Sequence, residues 1–217
     1  MSDVKKYVVI GNGTAAVGCI EGIRSVDGEG SITVVSGESR HVYCRPLISY
    51  YLEGKTDLER MKYRPDDFYA ENGCEVLYGV KATAIDCGAK TIALDNGESL
   101  SYNELCVAAG SSPFVPPMKG LETVAKKFGF MTLDDTLELE KAITPDSRVL
   151  IVGAGLIGLK CAEGICGRVA GITVCDLADR VLSSILDNAS AAVVQRKLEE
   201  NGLLATETEE SSHGKYM

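Results

Sequence analysis

The chain has no tryptophan and only two histidines, His41 and His213. None of its eight cysteines, Cys19, Cys44, Cys74, Cys87, Cys106, Cys161, Cys166 and Cys175, stands in a C-x-x-C pair. The ligand spacing of zinc and iron–sulfur sites is therefore missing, and no metal site is expected. A disulfide framework is not expected at this length either, so most of the cysteines read as small core hydrophobes. Positive charge is also short. Lys and Arg number 22 against 31 Asp and Glu, a formal net charge of −9, and the basic residues are scattered. That pattern argues against a nucleic-acid surface. Pairs such as Lys5-Lys6 and Lys126-Lys127 read as solvated surface. No apolar run reaches the ~18 residues of a membrane span. The apolar stretch after Lys5-Lys6 is too short for a signal-peptide core. The expectation is a cytoplasmic protein with neither a membrane nor a nucleic-acid partner.

What the sequence has is length for one large or two small domains, 217 residues at 45% hydrophobic, and 23 glycines. The glycines fall in a pattern. "VVIGNGTAAVGCIEGIR" at 8–24 returns as "VLIVGAGLIGLKCAEGIC" at 149–166, with Gly11, Gly13, Cys19, Glu21, Gly22 and Ile23 matched 142 residues later. Ala16 falls opposite Gly158. Each copy follows a short apolar run, opens a helical apolar spacing and precedes a second apolar run, "SITVV" at 31–35 and "GITVCD" at 171–176. This predicts strand–glycine turn–helix–strand twice, with helices over 14–26 and 156–167.

Between the copies, Pro46 is placed to start a short helix over 47–53, and 64–73 reads as a helix ending at Gly73. "CEVLYG" reads as a strand. "ATAIDC", "TIALDN" and "ESLSY" predict an antiparallel meander, with Asn96-Gly97 as a hairpin turn. "LCVAAG" at 105–110 reads as a buried strand, and the proline-rich 111–120 as a linker. A helix over 133–143 starts at Thr132 or Asp134, and another covers 187–201. The fold class is α/β, with two tandem Rossmann-like units and a small β-meander insert. The expected division is 1–118, 119–203 and a polar, patternless tail over 204–217.

The glycines carry chemistry at this spacing. Gly11 permits the tight turn out of the strand, Gly13 lets a pyrophosphate approach the backbone, and Ala16 keeps the helix close. The phosphates face the helix N-terminus over Thr14 and Ala15. Gly153, Gly155 and Gly158 repeat the pattern, with Leu156 and Ile157 in the place of Thr14 and Ala15. Such a motif also needs an acid about 20 residues on for a ribose hydroxyl. Asp176 supplies it in the second copy and favours NADH over NADPH, although Arg180 lies close. In the first copy the matching position is Ser36, and Glu38 is the substitute.

"GNGTAA", "YCRPLISYYLEGK", "CVAAGSSPFVPP", "VGAGLIG" and "CDLADRVL", in that order, resemble the FAD-dependent pyridine nucleotide-disulfide oxidoreductase family over about residues 4–203. Within it the resemblance is to rubredoxin and ferredoxin reductases and to the NADH-binding part of nitrite reductase. The resemblance implies FAD at Gly11, Gly13 and Ala16, with Glu38 on the adenosine ribose. It implies Arg45 and Pro46 in a segment whose arginine reaches the FAD, and Val80 with its backbone near the adenine. Ala109 and Gly110 would lie in the segment that returns beside the FAD, Ala109 replacing the usual threonine. NADH would lie at Gly153, Gly155, Gly158 and Asp176. Hydride would pass from NADH to the flavin, and electrons to a small redox protein of rubredoxin or ferredoxin type or to an attached redox centre. No side chain is assigned as a catalytic acid, base or nucleophile. The family's redox cysteine pair has no counterpart. Cys161 and Cys166 have its spacing but are expected to pack within a helix. A thiol-dependent disulfide or peroxide reductase acting through Cys44 is one alternative. A truncated nucleotide-binding fragment without activity is the other, because the rest of the NADH domain, a closing FAD segment and an interface domain are expected to be missing.

Overall fold

The computed structural model describes residues 4–207. In chain order its elements are β1 (Lys6–Ile10), α1 (Thr14–Arg24), β2 (Ser31–Ser36), α2 (Ile48–Leu52), α3 (Phe68–Glu71), β3 (Cys74–Tyr78), β4 (Ala82–Asp86), β5 (Thr91–Leu94), β6 (Ser99–Ser101), β7 (Glu104–Val107), α4 (Leu133–Ala142), β8 (Arg148–Val152), α5 (Leu156–Ile165), β9 (Gly171–Asp176), α6 (Asn188–Glu200) and β10 (Leu203–Glu207). They form two compact units. One takes the residues up to Cys44 and Met61–Ser112; the other takes Arg45–Arg60 and the residues from Pro113 on. No described helix is long and apolar enough to cross a membrane.

The first unit is a three-layer arrangement. Its parallel sheet runs β3-β2-β1-β7, with Tyr7 opposite both Ile32 and Glu104. The continuous apolar run of β1 is explained by burial on both faces. Val9 packs with Ala16, Val17 and Ile20 of α1 and with Phe68 and Tyr69 of α3. Val8 and Ile10 pack the opposite way, against Ile92 and Leu94 of β5 and against Tyr102. The second of these layers is the antiparallel sheet β4-β5-β6, and Gly97 of its β5–β6 turn has φ +87°.

The second unit holds the parallel sheet β10-β9-β8, again with α5 between adjacent strands. Ile151, Ile172, Val174 and Leu203 pack with Leu159, Ala162 and Ile165 of α5 in one core. A Cβ on Gly164 would lie 3.1 Å from the Leu52 Cβ and the Ser49 carbonyl, so this glycine admits the close passage of α2. Thr132 starts α4 with a capping box: its hydroxyl accepts from the Asp135 amide and the Asp135 carboxylate accepts from the Thr132 amide.

Several sequence expectations need correction. The helix over 64–73 shrinks to Phe68–Glu71, because the stretch around Pro65 makes turns first and Gly73, at φ +55°, ends it. The strand over 105–110 ends at Val107 and is open rather than buried, since β7 is the sheet edge and Val107 is 62% exposed. Residues 203–207, the last four placed in a patternless tail, form β10 alongside β9, with Leu203 opposite Ile172 and Glu207 opposite Asp176. The run is short, shows no strict alternation and leads straight into a polar sequence, so the sequence signal is weak there. His213 and the rest of the expected tail lie outside the described residues. Cys166 is exposed just past α5 and donates to the Asn201 carbonyl, so only Cys161 of that pair packs in the core.

Candidate dinucleotide-binding sites

The two strand–turn–helix copies have the same backbone geometry. The Gly11 amide donates to the Val35 carbonyl at 2.8 Å, and the Gly153 amide to the Cys175 carbonyl at 2.7 Å. Gly11 has φ +113° and Gly153 φ +111°, values that only glycine takes readily. Ile10 pairs with Val35 and Val152 with Cys175. Ser36 and Asp176 are therefore equivalent positions at the ends of their strands.

The glycines divide by what surrounds them. A Cβ on Gly11 would fall 2.0 Å from the Ala108 carbonyl oxygen, and one on Gly158 would fall 2.0 Å from that of Gly153. Both are packing glycines. Around Gly13 and Gly155 a Cβ would meet nothing within 4 Å. These two residues precede the first turns of α1 and α5 with extended backbone and no side-chain cap. The first amides of a helix have no partner within it. An open, side-chain-free surface beside such amides is the surface a pyrophosphate needs, so both turns fit one. Thr14, Ala15, Leu156 and Ile157 are exposed there, and Ala16 is fully buried against the sheet.

In the first unit, Glu38, Val80 and the turn come to the carboxyl ends of the strands. Tyr43 donates its hydroxyl to Glu38 Oε2 at 2.7 Å. The buried Ser36 donates its hydroxyl to the Glu38 carbonyl at 2.6 Å, and the Val80 amide donates to the Ser36 carbonyl at 3.0 Å. Ala109 and Gly110 follow β7, beside Gly11. The middle residue of the turn, Asn12, donates from Nδ2 to the Arg40 carbonyl at 3.1 Å and accepts a short bond from the Tyr69 hydroxyl. Burial, with Tyr78 nearby, raises the Tyr69 pKa, so this hydroxyl remains a donor. Sequence reasoning missed Asn12, Tyr43 and Tyr69. The only signal was a polar residue between two motif glycines.

In the second unit, Asp176 Oδ2 accepts from the Ala154 amide at 2.6 Å and Oδ1 from the Ala178 amide at 2.9 Å. A carboxylate has about four lone-pair sites, which leaves capacity for ribose hydroxyls. Arg180 donates to the Leu186 and Ser183 carbonyls and pairs with Asp179, so its guanidinium is already engaged. Arg45 and Pro46 lie in a 3-10 turn assigned to this unit, where Arg45 donates to the Met131 carbonyl at 2.6 Å.

Residues 5–210 match the family described as pyridine nucleotide-disulphide oxidoreductase. The chain belongs to that family. It is 34% identical over 199 residues to the epsilon subunit of NADH-dependent phenylglyoxylate dehydrogenase from Aromatoleum evansii, covering 91% of this chain and 47% of that protein. It is 29% identical over 197 residues to rubredoxin-NAD(+) reductase from Pseudomonas putida, covering 90% and 51%. Among solved structures it is similar to the covalent putidaredoxin reductase–putidaredoxin complex, at TM-score 0.81 and 27% identity, covering 94% of this chain and 49% of that one. The chain thus spans about half the length of these relatives.

Proposed function

We propose that this chain carries the FAD-binding and NADH-binding parts of a flavoprotein reductase. The reading rests on one observation: the two equivalent strand ends carry different residues, Ser36 and Asp176. Ser36 is committed to the backbone of its own loop and passes the acidic role to Glu38. Asp176 offers its carboxylate at the strand end, where it accepts a ribose diol and repels a 2′-phosphate. The FAD part takes residues 1–118, with Gly13, Thr14 and Ala15 at the pyrophosphate, Gly11 and Ala16 packing that turn against the sheet, Glu38 at the ribose and Val80 at the adenine. The family resemblance assigns Ala109 and Gly110 to the flavin side of the first unit, and it implies FAD contacts for Arg45 and Pro46 as well. The NADH part takes 119–203, with Gly153, Gly155, Leu156, Ile157, Gly158 and Asp176. The engagement of Arg180 with its own loop supports NADH over NADPH.

When bound, the flavin accepts the hydride that NADH supplies; the protein's own contribution is orientation and charge placement. The onward acceptor is a small redox protein of rubredoxin or ferredoxin type, or a redox centre attached to the same assembly, as the names of the relatives suggest. Purified full-length chain is expected to be yellow, and anaerobic addition of NADH to bleach the flavin band much faster than NADPH does. A chain that neither retains nor takes up FAD overturns the reading. NADH-driven reduction of a one-electron dye is expected to survive Cys44→Ser unchanged, and its loss would establish the thiol route instead.

A further inference from the structure

The phosphate chemistry of the first glycine turn needs no side chain between Gly11 and Gly13, yet Asn12 there is fastened at both ends. Its Nδ2 donates to the Arg40 carbonyl at 3.1 Å, and its Oδ1 accepts from the Tyr69 hydroxyl. Tyr69 is buried in α3, with its ring edge-on to His41 at 5.0 Å between centroids and to Phe68 at 5.2 Å. His41 belongs to the same loop after β2 as Glu38 and Arg40. The glycine turn, the Glu38 loop and α3 therefore converge on one amide side chain. The second turn is held differently. Ala154 stands where Asn12 stands, and its amide is tied to the Asp176 carboxylate at 2.6 Å.

We propose that Asn12, held by Tyr69, is a positioning residue for FAD: it sets the distance between the phosphate-facing turn and the ribose-facing Glu38 loop. In the second turn that task falls to the ligand-facing acid itself, through its bond to the Ala154 amide. In the first, the acid has moved two residues out and accepts from Tyr43, so a separate tie is required. Arg40 lies two residues beyond Glu38, so a bond to its carbonyl fixes the loop without occupying the carboxylate. A ligand that grips both places gains from the tie, because the spacing is set before binding. This inference rests on the reading of the first unit as an FAD site.

The test is calorimetric titration of the flavin-stripped chain with FAD, ADP and FMN. The proteins are the parent chain, Tyr69→Phe, Asn12→Ala and the double variant. Each single variant is expected to weaken FAD and ADP by ~5-fold, the effect of one net hydrogen bond. The double variant is expected to lose little more than one single variant, because the two residues form one bridge. FMN has no adenosine ribose to span to, so its weaker binding should not change. Equal losses for FAD, ADP and FMN would mark a merely structural role and overturn the proposal. Parent-like FAD affinity in both single variants overturns it as well and leaves the functional reading intact. A parent chain that takes up no FAD overturns both. Should Tyr69→Phe fail to fold, Asn12→Ala, in a half-exposed turn, carries the same comparison.

Discussion

Single residues in the two glycine turns have separable duties. Gly158 sits against the Gly153 carbonyl, where a methyl group would come within 2.0 Å of the oxygen and 3.3 Å of Ile151 Cγ2. Backbone has to move to admit it, so Gly158→Ala is expected to cost about 1–3 kcal/mol, read as a lowered denaturation midpoint with or without ligand. The first copy is built around a methyl group at the same place, since Ala16 is fully buried. Gly13 is the opposite case. Its added Cβ would meet only open space, and its backbone is extended. Gly13→Ala should cost no more than the ~1 kcal/mol of a weaker helix N-cap, while FAD affinity falls at least ~10-fold because the methyl group takes the ligand's approach. Equal stability losses in Gly13→Ala and Gly158→Ala would show that the two glycines do not divide in this way.

The elements show where cysteine chemistry is available. Cys161 lies on the core face of α5, and burial pushes its thiol up to about 11. Cys19 on α1 is also pushed up to about 11, first by burial and then by the Cys106 thiol beside it. The thiolate is the reactive form, so both are expected to resist a thiol reagent at neutral pH. Exposed Cys87 and Cys166 should label first, as peptide mapping of a time course will show. Rapid labelling of Cys161 would mean that α5 opens readily. The same elements explain what the sequence made legible. Apolar runs bounded by glycine predicted β1, β2, β8 and β9 within a residue or two, because strands buried on at least one face have no freedom to be polar. Asn96-Gly97 likewise marked the β5–β6 hairpin through its backbone requirement. β7 was carried three residues too far, to Gly110, and β10 was missed because its short run leads straight into a polar sequence. The Asn12–Tyr69 bridge was invisible because its partners are 57 residues apart and neither residue type signals the other.

At the scale of the whole molecule, one strand–turn–helix design has been used twice and specialised by what covers the sheet. The first unit's sheet is covered on both faces, by α1 and α3 and by the β4-β5-β6 layer. In the second unit Ile151 points into the helical core, whereas Leu150 and Val152 of the same strand are 64% and 54% exposed. A ligand stabilises the state that binds it, by about 2.7 kcal/mol at a hundredfold excess over its dissociation constant. That stabilisation should be greatest around the turn the ligand occupies. Hydrogen exchange of the full chain is therefore expected to slow across β1, α1, β2 and β7 when FAD is added. With NADH it should slow across β8, α5 and β9 instead. The contrast is sharpest at the Gly13–Val17 and Gly155–Leu159 amides that open the two helices, which are alike in sequence context but should respond to different nucleotides. Protection of both turns by NADH alone would mean that Ser36 and Glu38 do not distinguish the first site from the second, and the assignment of the two copies to different cofactors would fall.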